Sequence, residues 1–185
     1  MAYINNNNVA YGVYSGIADN VIDKSITAYE SPTVETVGGY AFFQCAGLTR
    51  VDLPEVTAVG SNAFAGCSSL ASVKLDKVTT IGSLAFSQCG ALNLQGLEDL
   101  TTIEYGAFSN SGLSGFLVLP KLTSIAAMAF ANTNLMVLGL ESRATLANVN
   151  AFPNNTTITV LPEDLSYYQN AANWSTLYSQ GRITT

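Results

Sequence analysis

Val59-Gly60-Ser61-Asn62-Ala63-Phe64-Ala65-Gly66-Cys67-Ser68-Ser69-Leu70, followed by Val73 and Leu75, is one unit of a pattern that returns every 22 residues. Its Ala-Phe pair recurs as Ala41-Phe42, Ala85-Phe86, Ala107-Phe108, Ala129-Phe130 and Ala151-Phe152. Four residues before the first five of these Ala stands a β-branched residue: Val37, Val59, Ile81, Ile103 and Ile125. Four residues after each Ala stand Cys45, Cys67 and Cys89, then Ser111, Thr133 and Asn155. A fixed period of this length predicts stacked coils, because one unit buries nothing alone while neighbours in a stack share a continuous core.

Each position has a physical expectation. Leu48-x-x-Val51-x-Leu53 and Leu70-x-x-Val73-x-Leu75 read as short strands of one parallel sheet, with neighbouring strands about 4.8 Å apart. Gly38, Gly60 and Gly82 offer permissive backbone at a corner, and the small Ala lets the chain pass close to its neighbour. The six Phe rings form an interior ladder, each burying on the order of 150–250 Å2. The Ala-Phe-x-x-Cys arc is expected to be a turn of α- or 3₁₀-helix. The strand pattern then changes. Leu113-x-x-Phe116-x-Val118 and Leu135-x-x-Leu138-x-Leu140 begin one residue early, and Gln95 predicts a shift or bulge among Leu92, Leu94 and Leu97. Upstream, Ile26-x-x-Tyr29 with Pro32, Val34 and Val37 keeps the phase, making about seven coils with the first and last incomplete.

The I-G-x-x-A-F-x-x-C-x-x-L order resembles the BspA-like leucine-rich repeats, the bacterial type also described from treponemes, over roughly residues 26 to 160. Residues 160–175, ending in Asn173-Trp174-Ser175, resemble the closing segment that often follows such repeats. The resemblance implies a β-rich α/β solenoid, a right-handed leucine-rich-repeat array. It also implies adhesion at a bacterial surface, and similar arrays look common in prophage-encoded proteins, including tail components. The chain departs from the pattern after Cys89, where the Cys position turns polar.

Composition narrows the function. The 185 residues are 48 % hydrophobic and 11 % charged, the balance of a globular chain. A net charge of −6 with seven basic residues argues against a nucleic-acid partner. Residues Met1 to Asn8 lack the basic start and apolar run of an export signal. The uncharged stretch Leu122 to Leu140 is accounted for by the repeat, so no membrane insertion is expected. Three thiols at a spacing of 22 are expected to be buried and reduced. With no His there is no imidazole base. Glu98-Asp99 and Glu163-Asp164 read as solvated pairs. No Gly-rich phosphate loop occurs, and Asp19 and Asp23 lack calcium-loop spacing. The expectation is a non-enzymatic chain without cofactor or metal.

What remains is surface. Residues 1–25 read as an N-terminal cap or arm, with a polar run at Asn5 to Asn8 and a short amphipathic helix at Ile17 to Ile22. Residues 26–161 form the solenoid, and 162–185 a C-terminal cap with a helix opened by Pro162. Residues between the inward apolar ones should face outward. This makes Glu30, Arg50, Asp52, Ser72, Lys74, Leu117 and Val137 the candidate partner-binding residues, charged in the early coils and apolar in the later ones. The expected partner is a protein or glycan, met outside the cell, at its surface or on a virion. The alternative is a structural or receptor-binding component of a phage-like particle; a homo-oligomer is compatible with either.

Overall fold

In a computed structural model, residues 24–185 and the strands Tyr3–Ile4 and Val9–Tyr11 are described. Asn5 to Asn8, Ile17 to Ile22, Asp19 and Asp23 lie outside the described residues. The chain is a β-rich solenoid whose coils share one apolar interior running from Val34 to Ile183.

Each coil contributes two parallel strands rather than the single one expected. The Leu-rich strands Ala28–Glu30, Arg50–Asp52, Ser72–Lys74 and Asn93–Gln95 form one four-stranded sheet. Ser114–Leu119, Asn134–Leu140, Thr157–Val160 and Ile183–Thr184 form a second. The short pairs Thr36–Val37, Ala58–Val59, Thr80–Ile81, Thr102–Ile103, Ser124–Ile125 and Thr145–Leu146 extend a separate eight-stranded sheet, begun by the antiparallel pair Tyr3–Ile4 and Val9–Tyr11. The β-branched residue ahead of each of the first five Ala-Phe pairs, and Leu146 in the last, is the inward half of these strands, and its neighbour is the more exposed one. An exposed threonine ladder runs beside them. Thr79, Thr101, Thr123 and Thr145 each donate a side-chain hydroxyl to the carbonyl of the threonine 22 residues earlier.

The arc is not helical, except for one 3₁₀ turn at Val149–Ala151. It is a chain of turns in which alternate amides point in different directions. Ala41, Phe43 and Cys45 donate to carbonyls three residues back, while Tyr40, Phe42 and Gln44 donate to Ser61, Ala63 and Ala65 of the next coil. Two left-handed residues per coil make this alternation possible. One precedes the Ala (Tyr40, Asn62, Leu84, Gly106, Met128) and one follows it by three (Gln44, Gly66, Gln88, Asn110, Asn132). A helix would have turned all these amides along its own axis and left the coils unjoined. Gly60 and Gly82 serve close approach, not left-handed backbone. A Cβ on Gly60 would sit 2.6 Å from the Gly39 nitrogen, and one on Gly82 2.8 Å from the Val59 carbonyl oxygen.

Inside, successive Phe rings from Phe42 to Phe152 stack at 4.9–5.7 Å. The three thiols are buried, and Cys67 and Cys89 donate to the Phe42 and Phe64 carbonyls at 3.0 and 3.1 Å. Ser111 and Thr133, which take the Cys place, are also buried and bond the Phe108 and Phe130 carbonyls of their own coils. Burial pushes the Cys89 thiol from its ordinary 9.0 up to about 12, and raises Cys67 too, with the adjacent thiols adding to the effect. A thiol reagent should therefore label none of the three quickly in the folded protein and all three in denaturant, as read by mass spectrometry. Rapid native labelling of Cys67 would contradict the buried ladder. Folded thiols stay protonated where unfolded ones ionise, so their contribution is intact at neutral pH and declines as pH rises past 9.0 toward 12.

The C-terminal segment closes the stack with two helices, α1 (Leu165–Asn170) and α2 (Trp174–Ser179), preceded by a 3₁₀ turn at Pro162–Asp164. Trp174, 22 residues after Phe152, continues the ring ladder at 6.1 Å. Its indole donates to the Ala144 carbonyl at 2.7 Å. Asn173 donates to the Leu146 and Ala147 carbonyls at 2.8 and 3.1 Å. That side chain is committed to the edge strand, which leaves no free amide at this sequon for a glycan.

Candidate functional site

The outward face of the Leu-rich strands is built from two unlike halves. In the early coils the register places Glu30, Asp52, Lys74 and Gln95 in one row and Ala28, Arg50, Ser72 and Asn93 in the next. Arg50 bonds Glu30 across the strands, and Lys74 meets Asp76 at 2.9 Å. The Asp76 carboxylate, with Asp52 beyond it, holds the Lys74 ammonium above its ordinary value. Glu30, Arg50, Asp52, Ser72 and Lys74 thus do come together on one face. Their charges are largely turned toward one another, and ion pairs this exposed contribute about 0–1 kcal/mol to stability.

Elsewhere charge is also spent locally. Glu55, Lys77, Asp99 and Lys121 line one corner at 22-residue steps, with Lys77 on Glu55 and Lys121 on Asp99 at 2.6 Å. Arg143 meets Asp164 of the cap at 2.6 Å. Arg182 donates to the Thr156 and Pro153 carbonyls, at 3.1 and 2.5 Å. Six of the chain's seven basic side chains are engaged in this way.

In the later coils one expected residue is inverted. Leu117 pairs with the fully buried Leu138 and packs partly buried against the core. The outward residues are instead Phe116, 77 % exposed, and Val118, 56 % exposed. Val137 does face outward, in a row with Phe116 and Thr157, while Val118, Gly139, Thr159 and Thr184 form the parallel row. A register shift between Gly115 and Phe116 leaves Met136 as an extra residue, 56 % exposed beside them. Phe116, Val118, Met136 and Val137 therefore make one apolar patch on the outward face of the sheet, with little side chain over Gly139 to interrupt it.

The inversion was readable. Counting forward from Leu113 gives the wrong phase, because the approach to that strand is one residue shorter than in earlier coils. Leu53, Leu75, Leu97 and Leu119 keep the 22-residue step, as do Val56, Val78, Leu100 and Leu122. Counting back two from Leu119 turns Leu117 inward and sends Phe116 and Val118 out. Gln95 likewise faces solvent: Asn93 pairs with Ser72 one residue early, and Gly96, at φ +78°, absorbs the surplus before the buried Leu97.

Among the described residues no helix is long and apolar enough to cross a membrane, and no group of three or more His, Cys, Asp or Glu could hold a metal ion.

A family model for the BspA type leucine-rich repeat region matches residues 35–159 in six copies. A solved structure of a leucine-rich cell surface protein from Faecalibacterium prausnitzii A2-165 is similar at 24 % identity with a TM-score of 0.56. The match covers 74 % of this chain and 48 % of that one, so this chain spans about half its length. At that identity the likeness concerns the fold. No curated protein matches the chain.

Proposed function

Since the chain belongs to the BspA-type leucine-rich-repeat family, we propose that it is a non-enzymatic binding module, displayed outside the cell, that holds a protein partner on the outward face of its Leu-rich strands. The carrying observation is the patch of Phe116, Val118, Met136 and Val137, whose leading ring is 77 % exposed on the outward face of the parallel sheet. Exposed apolar clusters on soluble domains mark contacts. Aromatic side chains on rigid elements are the usual anchors of interfaces, and truncating one costs about 2 kcal/mol or more of binding. The charged early half would then act as a rim that steers approach.

Biolayer measurements against a panel of extracellular proteins test this. Phe116→Glu with Met136→Glu should abolish binding, because each would bury a charge against an apolar surface. Arg50→Glu with Lys74→Glu should slow association and change its salt dependence, with a smaller effect on dissociation. Both pairs should keep the parent's circular dichroism, whereas Leu117→Glu should destabilise the fold. Binding that survives the Phe116 and Met136 pair would remove this face from consideration. Display on a cell surface and attachment to a phage-like particle would use the same face; export genes or tail genes beside this one separate them.

A further inference from the structure

A second surface, away from the Leu-rich strands, runs along the Ala-Phe arcs. Here a groove of about 430 Å3 crosses five coils, from Phe43 to Met128. Its floor is small and buried, with Ala65, Ser87 and Ser109 in successive coils and the two serine hydroxyls 3.2 Å apart. One wall carries the exposed carboxamides of Gln44, Gln88 and Asn110. The other carries Leu84, Met128 and the 48 % exposed ring of Tyr105, whose hydroxyl meets the Met128 sulfur at 3.2 Å.

Three observations concern what would fit. First, none of the lining residues is Asp, Glu, Lys or Arg, although ion pairs occupy other surfaces of the same coils. Second, both walls stand on left-handed backbone: Leu84 and Met128 at φ 58°, Gln88 at 57° and Asn110 at 56°. The same two positions are glycine at Gly106 and Gly66. Side chains there stand on backbone that the stacking of the coils fixes, so both walls are held in place. Third, the main chain of the groove is already engaged. Gly66, Gln88 and Asn110 donate to Ser87, Ser109 and Ala131, while Ala65, Ser87 and Ser109 donate within their own turns. A peptide could not join by strand addition, and recognition falls to side chains.

We infer that this groove binds a neutral, unbranched glycan chain. A carboxamide offers both donor and acceptor, which suits a sugar hydroxyl that is also both; the Asn110 oxygen already accepts from Asn132 at 3.0 Å, so Asn110 offers its amide hydrogens. The apolar wall and Tyr105 offer a surface for the apolar face of a pyranose ring. Coils repeat at 4.9–5.7 Å, judged from the Phe stack, so the carboxamides of Gln88 and Asn110, in adjacent coils, stand about the length of one sugar apart in an extended chain.

The test is affinity electrophoresis in gels containing hydroxyethyl cellulose, glucomannan or glycol chitin, with polygalacturonate as the anionic comparison. The parent should be retarded by at least one neutral polymer and not by polygalacturonate. Gln88→Gly with Asn110→Gly copies the residue at Gly66, so the fold is kept, and affinity should fall about tenfold. Phe116→Glu with Met136→Glu should bind the polymer like the parent, which separates this site from the sheet face. No retardation by any neutral polymer, retardation by polygalacturonate alone, or retardation unchanged in the double glycine variant would overturn the inference. So would a loss confined to the sheet variant, or competition for the groove by extended peptides in place of glycan.

Discussion

Phe86→Ala should lower stability by about 3–5 kcal/mol, the cost of deleting a large buried ring and leaving a cavity. Phe86 is wholly buried at the middle of the ladder, 5.1 Å from Phe64 and 5.6 Å from Phe108, with ring planes within 7°. Its loss removes two stacking contacts at once. The coils on either side are tied by backbone bonds that cannot close the gap by moving together. In a linear array each coil is stabilised mainly by its neighbours, so a central defect also weakens the coupling between the two halves. The unfolding transition should therefore broaden as well as shift. Lys77→Ala, which removes an exposed ion pair with Glu55, should cost less than about 1 kcal/mol. Denaturation midpoints that coincide for the two variants would refute the interior assignment of the ladder.

Deleting residues 162–185 should convert a well-behaved protein into one that associates. The segment is held by Trp174, whose ring meets Phe152 and whose nitrogen reaches the Ala144 carbonyl. Tyr168 donates to the Ser142 carbonyl, Asn173 to those of Leu146 and Ala147, and Arg182 to those of Thr156 and Pro153. Ile183–Thr184 then pairs with Thr157–Val160 as the outermost strand of the second Leu-rich sheet. Without these groups a row of carbonyls, a sheet edge and the face of the last Phe all meet water, which is the template for edge-to-edge pairing. Size-exclusion chromatography should show larger species and the melting temperature should fall. Trp174→Ala should show a milder version of the same change. A truncated chain that stays monodisperse with an unchanged melting transition would mean that the segment is not a cap.

The cap also marks a limit of reading by resemblance. Trp174 lies 22 residues after Phe152, so its place at the end of the ring ladder could have been read from the repeat. Its role in satisfying the edge carbonyls could not, because those bonds depend on how α1 and α2 turn at Asn173, itself left-handed at φ 63°. The helix expected after Pro162 is accordingly two short ones with a break between them.

The 22-residue period by itself determined the solenoid, the inward ladder of Phe and Cys, and the seats of Glu30, Arg50, Asp52, Ser72, Lys74 and Val137 on the outer face. Each of these follows from which residues recur in phase, and burial of recurring apolar residues is a local consequence of stacking. Tertiary structure decided that Met136 stands out as an extra residue beside Phe116 and Val137, because the register shift after Gly115 exists only once the two strands are paired. It also decided that the arc is a run of left-handed turns bonded between coils. Asn62, Leu84 and Met128 share no side-chain signal for that backbone. What they share is a position where an amide must turn toward the next coil, a demand that arises only once the coils are stacked.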